Sequence, residues 1–285
     1  MTRRVIGLVL GLVLGACRPE VAPGARTDAR RILTLAPNLA EFVFVLGHGD
    51  RVVGVSDYTA WPPEASALPR VGGLFNPNFE AMVALRPDLA LLLPSEADIG
   101  ERLRRVGVET LTLEVESLAD VASTFRTVGA RLGDASGGEH QAAAFEAALA
   151  PRDLHHDRGA APRVLIVVGR EPGRLGKLYV AGPGTVYDEM LTRLGARNVF
   201  ADAQPRYPEV GFEEILSRRP EVVLELRADA LSAAQEAELL SDWRAFPSLP
   251  AVAAGRVRVI AADYTLVPGP RLSRLYDRLA EILAP

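Results

Sequence analysis

The sequence repeats part of itself. Phe79-Glu80 matches Phe212-Glu213, and Arg86-Pro87 matches Arg219-Pro220, each pair 133 positions apart with no gap between them. A segment that recurs in the same order and spacing predicts two related halves built on one plan. Within each half, short and almost unbroken apolar runs alternate with helical patterns. In the first half the runs are Ile32 to Leu35, Val52 to Val55, Leu89 to Leu93 and Glu109 to Leu113. In the second they are Arg163 to Val168, Val222 to Leu226 and Val257 to Ala261. Such runs suit strands of a parallel sheet covered on both faces. The expected fold class is therefore α/β, in two lobes, and 285 residues is the length for two such units.

Local signals refine this outline. Pro37-Asn38, with Glu41 three positions on, reads as a helix start in which Asn38 caps and Glu41 reaches back. Gly182-Pro183-Gly184-Thr185 reads as a tight turn with Thr185 as N-cap. Two helices fit between Ser117 and Arg158, interrupted at Gly133 to Gly138. The second, from about Glu139 to His156, would span roughly 25 Å at 1.5 Å per residue. The organisation expected is an N-terminal lobe over residues 30–137, a single long connecting helix within 138–160, and a C-terminal lobe over 161–285. One stiff connection predicts limited closure of the lobes on a ligand.

The N-terminus is of another kind. Arg3 and Arg4 precede an apolar run from Val5 to Ala16, about a dozen residues, which is the length of a signal-peptide core and too short to span a membrane. The run ends Leu14-Gly15-Ala16-Cys17, which resembles a bacterial lipobox. On that reading residues 1–16 are a signal peptide and Cys17 is lipidated. Residues 17–29, rich in Pro, Ala and Gly, are then a flexible tether. The protein is expected outside the cytoplasm, in the periplasm or at the cell surface, anchored through Cys17. Cys17 is also the only cysteine, so no disulfide or multi-cysteine metal site is available.

Chemistry of other kinds is sparse. A net charge of −4 offers no field for nucleic-acid phosphates. The four histidines have no metal-ligand spacing, and no nucleophile elbow, zinc-protease or P-loop motif occurs. Aromatic residues in loops are the better lead. Tyr58 and Trp61 follow a first-half strand, Tyr207 stands in a Pro-flanked loop, and Asp263-Tyr264 follow the last strand. Ligands of open parallel sheets lie beyond the carboxyl ends of strands, so these side chains could clamp a broad ligand with Asp263 accepting hydrogen bonds. Glu80 and Glu213, each just inside a helix start at matching places in the two halves, suit docking onto a partner with twofold symmetry. A different class of reading, a surface-anchored enzyme using Asp57 and Asp263 as an acid–base pair, would require the two carboxylates to converge.

Residues 30–38, Leu46-Gly47, residues 50–58, Trp61-Pro62-Pro63, residues 68–73, Asn76 to Glu80 and Leu85 to Leu89 together resemble class III substrate-binding proteins of ABC transporters. Residues 181–185, 195–199 and Arg219-Pro220 extend the likeness over the second half. The resemblance implies two Rossmann-like lobes joined by a backbone helix, with the ligand cleft between them and no catalysis. It implies a monomer that serves an ABC permease dimer with its ATPase subunits, and no cofactor. The likeness is nearest to the cobalamin-binding members, with ferric siderophores or haem as alternative cargo. By it, Tyr58, Tyr207 and Asp263 fall at ligand-contacting places, while Glu80 and Glu213 fall on the carboxylates that engage permease arginines. Phe75 stands near where those members carry a tryptophan, and Tyr207 stands in place of another. An anionic ferric chelate would instead call on Arg170, Arg206 or Arg271.

Overall fold

The computed structural model describes residues 28–152, 154, 159–171, 173 and 176–284. The signal segment 1–16, Cys17 and most of the tether lie outside the described residues. No helix among the described residues is long and apolar enough to cross a membrane.

The first sheet contains β1 (Ile32–Thr34), β2 (Val52–Val55), β3 (Leu89–Leu92) and β4 (Glu109–Thr112), in the order β2-β1-β3-β4 and all parallel. Its helices are α1 (Pro37–Val45), α2 (Phe79–Ala84) and α3 (Ala97–Arg105). β1 and β3 are wholly buried, which is why they read as continuous apolar runs. After the helices α4 (Leu118–Arg131) and α5 (Ala135–Ala148), a second sheet is built on β5 (Arg163–Arg170). Added to it are β6 (Leu178–Val180), β7 (Arg197–Asn198), β8 (Glu209–Val210), β9 (Val222–Arg227) and β10 (Val257–Ala261). The order is β10-β9-β5-β6-β8, with β7 also paired to β5. β10, β9, β5 and β7 run parallel, whereas β6 and β8 are antiparallel additions. The helices here are α6 (Val186–Arg193), α7 (Phe212–Arg218), α8 (Ala233–Arg244), α9 (Pro250–Ala253) and α10 (Leu272–Leu283).

The repeat seen in the sequence is a repeat of atoms. Glu80 and Glu213 each occupy the second position of their helices, α2 and α7. Both helices are followed by an arginine in the left-handed region, Arg86 at φ 47° and Arg219 at φ 46°. The next acidic residues then dock alike on the first strand of each lobe. The Asp88 amide donates to the Arg31 carbonyl at 3.0 Å, and the Glu221 amide to the Arg163 carbonyl at 2.8 Å. The Asp88 carboxylate accepts from the amides of Arg30 and Arg31, and that of Glu221 from Arg163. Arg31 and Arg163 each return a guanidinium bond to the carbonyls that end the helix.

The connecting segment differs from expectation. Among the described residues no helix fills the range 138–160; α5 covers Ala135–Ala148, 14 residues or about 21 Å. It begins early because the Asp134 carboxylate caps it, accepting from the Gly137 amide at 2.9 Å. Gly133 lies in the break between α4 and α5, but Gly137 and Gly138 are in the helix, where α4 lies close. A Cβ on Gly138 would stand 2.6 Å from the Phe125 carbonyl, and one on Gly129 2.6 Å from the Gly138 Cα. The helix stops before Pro151, which has no amide to donate and disfavours helical backbone at Ala150. Beyond it the Arg152 amide donates to the Arg193 carbonyl, so the chain is already on the second lobe.

One hydrophobic core runs through this junction. Phe42 of α1 meets Phe125 of α4 edge to face at 4.8 Å, and Phe125 meets Phe145 of α5 at 6.3 Å. The same cluster takes in Val164 and Ile166 of β5, Met190 of α6, and Leu275 and Tyr276 of α10. The lobes therefore share buried apolar surface as well as a connecting helix.

Candidate ligand-binding cleft

The strand-end loops of the two sheets face one cavity of about 440 Å³. One wall comes from Asn38, Leu93 to Ser95 and Glu114 to Glu116, just past the carboxyl ends of β1, β3 and β4. The other comes from Val168, Tyr187, Tyr207, Leu266 and Pro268. A second cavity of about 380 Å³ shares Val168 and Leu266 and continues along the end of β9. This is where an open parallel sheet leaves room for a ligand.

Of the residues singled out in the sequence, Tyr207 lines the main cavity directly. Its ring stands edge-on to Tyr187 at 6.5 Å, and burial, with Glu116 nearby, pushes its hydroxyl up to about 12. Tyr207 is thus a neutral, half-buried platform. Tyr187 is spoken for, donating to the Thr265 carbonyl at 2.8 Å. Tyr58 is 70% exposed and lies on Gly73, where a Cβ would meet its ring at 2.6 Å. Phe75 is 92% exposed in the same loop region.

Trp61, Asp263 and Tyr264 meet around Arg271. The guanidinium lies 4.9 Å from the Trp61 ring and 5.9 Å from the Tyr264 ring, with Nη1 2.8 Å from the Asp263 carboxylate. Nη2 is 2.6 Å from the Glu41 carboxylate on α1, and both side chains are buried. The helix-start reading of Asn38 and Glu41 is corrected here. Ala36 is the N-cap and makes no side-chain cap bond, with Pro37 at the first helical position. Asn38 instead donates across to the Pro268 carbonyl at 2.9 Å, and Glu41 pairs with Arg271. Thr185 does cap α6, accepting from the Asp188 amide.

Arg170 is also corrected. Its side chain is fully enclosed and bonded to Glu225 at 3.0 Å, Asp242 at 2.7 Å and the Leu239 carbonyl. Glu225 further accepts from the Trp243 indole at 2.9 Å. This guanidinium faces a buried carboxylate network and has nothing left for a ligand. The cation on the opposite rim, Arg206, sits 3.7 Å from Glu116. Asp57 accepts from the Gly72 amide, and Asp263 is held by Arg271. Glu80 and Glu213 are exposed on their helices. No cluster of three or more metal-ligating side chains occurs among the described residues.

A model of the periplasmic binding protein family matches residues 32–264. The chain belongs to the periplasmic binding protein family. It is 26% identical over 298 residues to a vitamin B12-binding protein of Pectobacterium atrosepticum, covering 100% of this chain and 99% of the relative. The structure is similar to that of the periplasmic vitamin B12-binding protein of Vibrio cholerae, with a TM-score of 0.73 and 26% identity over 90% of this chain and 97% of that one. It is also similar to a periplasmic haem-binding protein of Pseudomonas aeruginosa, with a TM-score of 0.77 and 26% identity over 90% and 93% of the two chains. A periplasmic binding protein is an exported carrier of solutes and not an enzyme, so Asp57 and Asp263 have no acid–base task. What enters the cleft of this binding protein is cargo and not a cofactor.

Several cleft residues carried no signal that the sequence analysis used. Leu93 to Ser95, Glu114 and Glu116 directly follow strands, and the rule that ligands sit at strand ends points to them. Asn38, after β1, and Leu266 and Pro268, in the loop after β10, fall under the same rule, and Asn38 and Pro268 are joined by a hydrogen bond between the lobes. Tyr187, inside α6, has no such mark.

Proposed function

We propose that this chain is a lipid-anchored extracytoplasmic receptor that captures cobalamin or a related corrinoid between its lobes and delivers it to an ABC permease dimer, whose ATPase subunits supply the work. The observation that carries the cargo is the charge balance of the cleft. Arg227, on the lining of the second cavity, is paired with Glu225, and the cations nearby are also neutralised within the protein, Arg271 by Glu41 and Asp263, Arg206 by Glu116, while Glu114 adds further negative charge to the wall. Such a site repels the carboxylates of a ferric chelate or of haem propionates and suits a large, amide-rich ligand laid against neutral aromatic platforms. Tyr58, Trp61, Phe75, Tyr207, Asp263 and Tyr264 are the ligand-facing candidates. The relatives named as vitamin B12-binding proteins support the same cargo.

Glu80 and Glu213 are the docking pair, exposed at equivalent positions of repeated helices and so disposed to meet a twofold permease. Cys17 carries the lipid, and the protein acts as a monomer with residues 17–29 as its tether. Haem is the second reading, supported by the fold shared with the Pseudomonas aeruginosa protein. Titration calorimetry of the chain lacking residues 1–16 with cyanocobalamin, haem and ferric siderophores tests the assignment. Cyanocobalamin should bind at micromolar concentration or below and outcompete the others. Haem binding without cobalamin binding replaces the first reading with the second.

A further inference from the structure

Arg271 gathers parts of both lobes around one guanidinium. It is the residue before α10, and only 5% of its side chain is exposed. Nη2 reaches Glu41 on α1 at 2.6 Å and also donates to the Asp263 carbonyl at 3.1 Å. Nη1 lies 2.8 Å from the Asp263 carboxylate. The Trp61 ring, from the loop after β2, and the Tyr264 ring, from the loop after β10, lie against the same guanidinium. Three of the ligand-facing candidates, drawn from two lobes, therefore share one support. Asp263 keeps 48% of its side chain open, so a carboxylate gripped by Arg271 still faces solvent.

This cluster is poorly made for stability alone. Arg271 Nε and Nη1 and Glu41 Oε2 are buried without a hydrogen-bond partner among the described residues. Apolar side chains of similar volume often do as well as a buried ion pair, or better. They cannot fix a carboxylate and two rings at once, which a planar guanidinium does through its fork and its faces. We propose that Arg271 is a positioning residue for cargo. Without touching cargo it sets Trp61, Asp263 and Tyr264 in place beforehand, so less ordering is left to be done on binding. This rests on those three side chains facing cargo, as proposed above.

The test titrates the full chain, in detergent at neutral pH, with cyanocobalamin and separately with haem. Glu41→Gln combined with Arg271→Met removes both buried charges together. Arg271→Lys keeps a charge but has no fork to hold Asp263 and the rings. Each variant that folds should bind the wild type's tighter probe about tenfold more weakly or worse. Glu189→Ala, which deletes a different bond between the lobes, at Leu118, should stay within about threefold. Wild-type affinity in a folded Arg271 variant, or an equal loss in Glu189→Ala, overturns the positioning role. A second arm needs no variant. In the cargo-free wild type the Trp61 indole N–H should be as ordered as rigid backbone, with an NMR order parameter of about 0.85. A value below about 0.6 overturns a platform set in advance. A wild type that binds neither probe overturns the cargo reading, and the positioning role with it.

Discussion

The Arg271 guanidinium meets the Glu41 carboxylate at 2.6 Å across the junction of the two lobes, 230 positions apart in the chain and almost closed off from water. Removing one partner of such a pair leaves a buried charge uncompensated, at a cost of about 3–5 kcal/mol. Arg271→Met should therefore lose stability on that scale, and Glu41→Gln combined with Arg271→Met should recover much of it. Urea unfolding of the wild type and the two variants measures this. If the double variant is as unstable as Arg271→Met alone, the charge argument is wrong.

The pair does not act alone in holding the lobes. Asn38 bonds to Pro268, the Leu118 amide donates to the Glu189 carboxylate at 3.2 Å, and the core is continuous through α4, α5 and α10. Small-angle scattering of free and cargo-saturated protein should give the same radius of gyration within error. A clear contraction on binding would contradict the limited closure expected here.

Arg170 separates stability from binding. Its side chain is enclosed and bonded to Glu225 and Asp242, beside the Trp243 ring. Arg170→Met should destabilise the protein by about 3–5 kcal/mol while the folded fraction keeps wild-type cargo affinity. A selective loss of affinity with normal stability would return Arg170 to the cleft.

Tyr207 is the aromatic side chain most directly on the cavity wall. Tyr207→Ala should weaken cargo binding by about 1.5–3 kcal/mol, or roughly 10- to 100-fold, through lost apolar contact. Tyr207→Phe should stay within a few-fold, because burial already keeps the hydroxyl neutral. Calorimetry of both variants decides whether the ring or its hydroxyl matters.

Charge reversal at Glu80 and Glu213 together should abolish cargo uptake into cells and leave cargo affinity unchanged. Neither residue lines the cavities of the cleft. A parallel loss of affinity would remove them from the docking role.

Glu96 also sets a pH dependence. Its carboxyl is raised from 4.5 by burial, so the folded state holds the proton more tightly than the unfolded chain does. The contribution to stability is full below about 4.5 and is lost as pH rises through the folded value. Between about pH 4 and pH 7, Glu96→Gln should therefore gain stability relative to wild type. Urea midpoints at the two values give the comparison, and a constant gap counts against a strained carboxyl.

Much of this molecule follows from local pattern. Apolar runs such as Leu89–Leu92 are strands because a parallel sheet covered on both faces has no wet side to mark. The repeat at 133 positions carried through to matching helix starts, matching left-handed arginines and matching strand docking, because each of these is a short-range event. Tyr207 was legible as an aromatic in a Pro-flanked loop. Asn38 and Glu41 were read wrongly because local spacing offered each a nearby capping task, and Arg170 because its charge suits an anionic ligand, while the actual partner, Pro268, Arg271 or Glu225, is supplied by another part of the chain. A buried charge takes whatever opposite charge the packed lobes bring within reach, and that choice is made only when the tertiary structure closes.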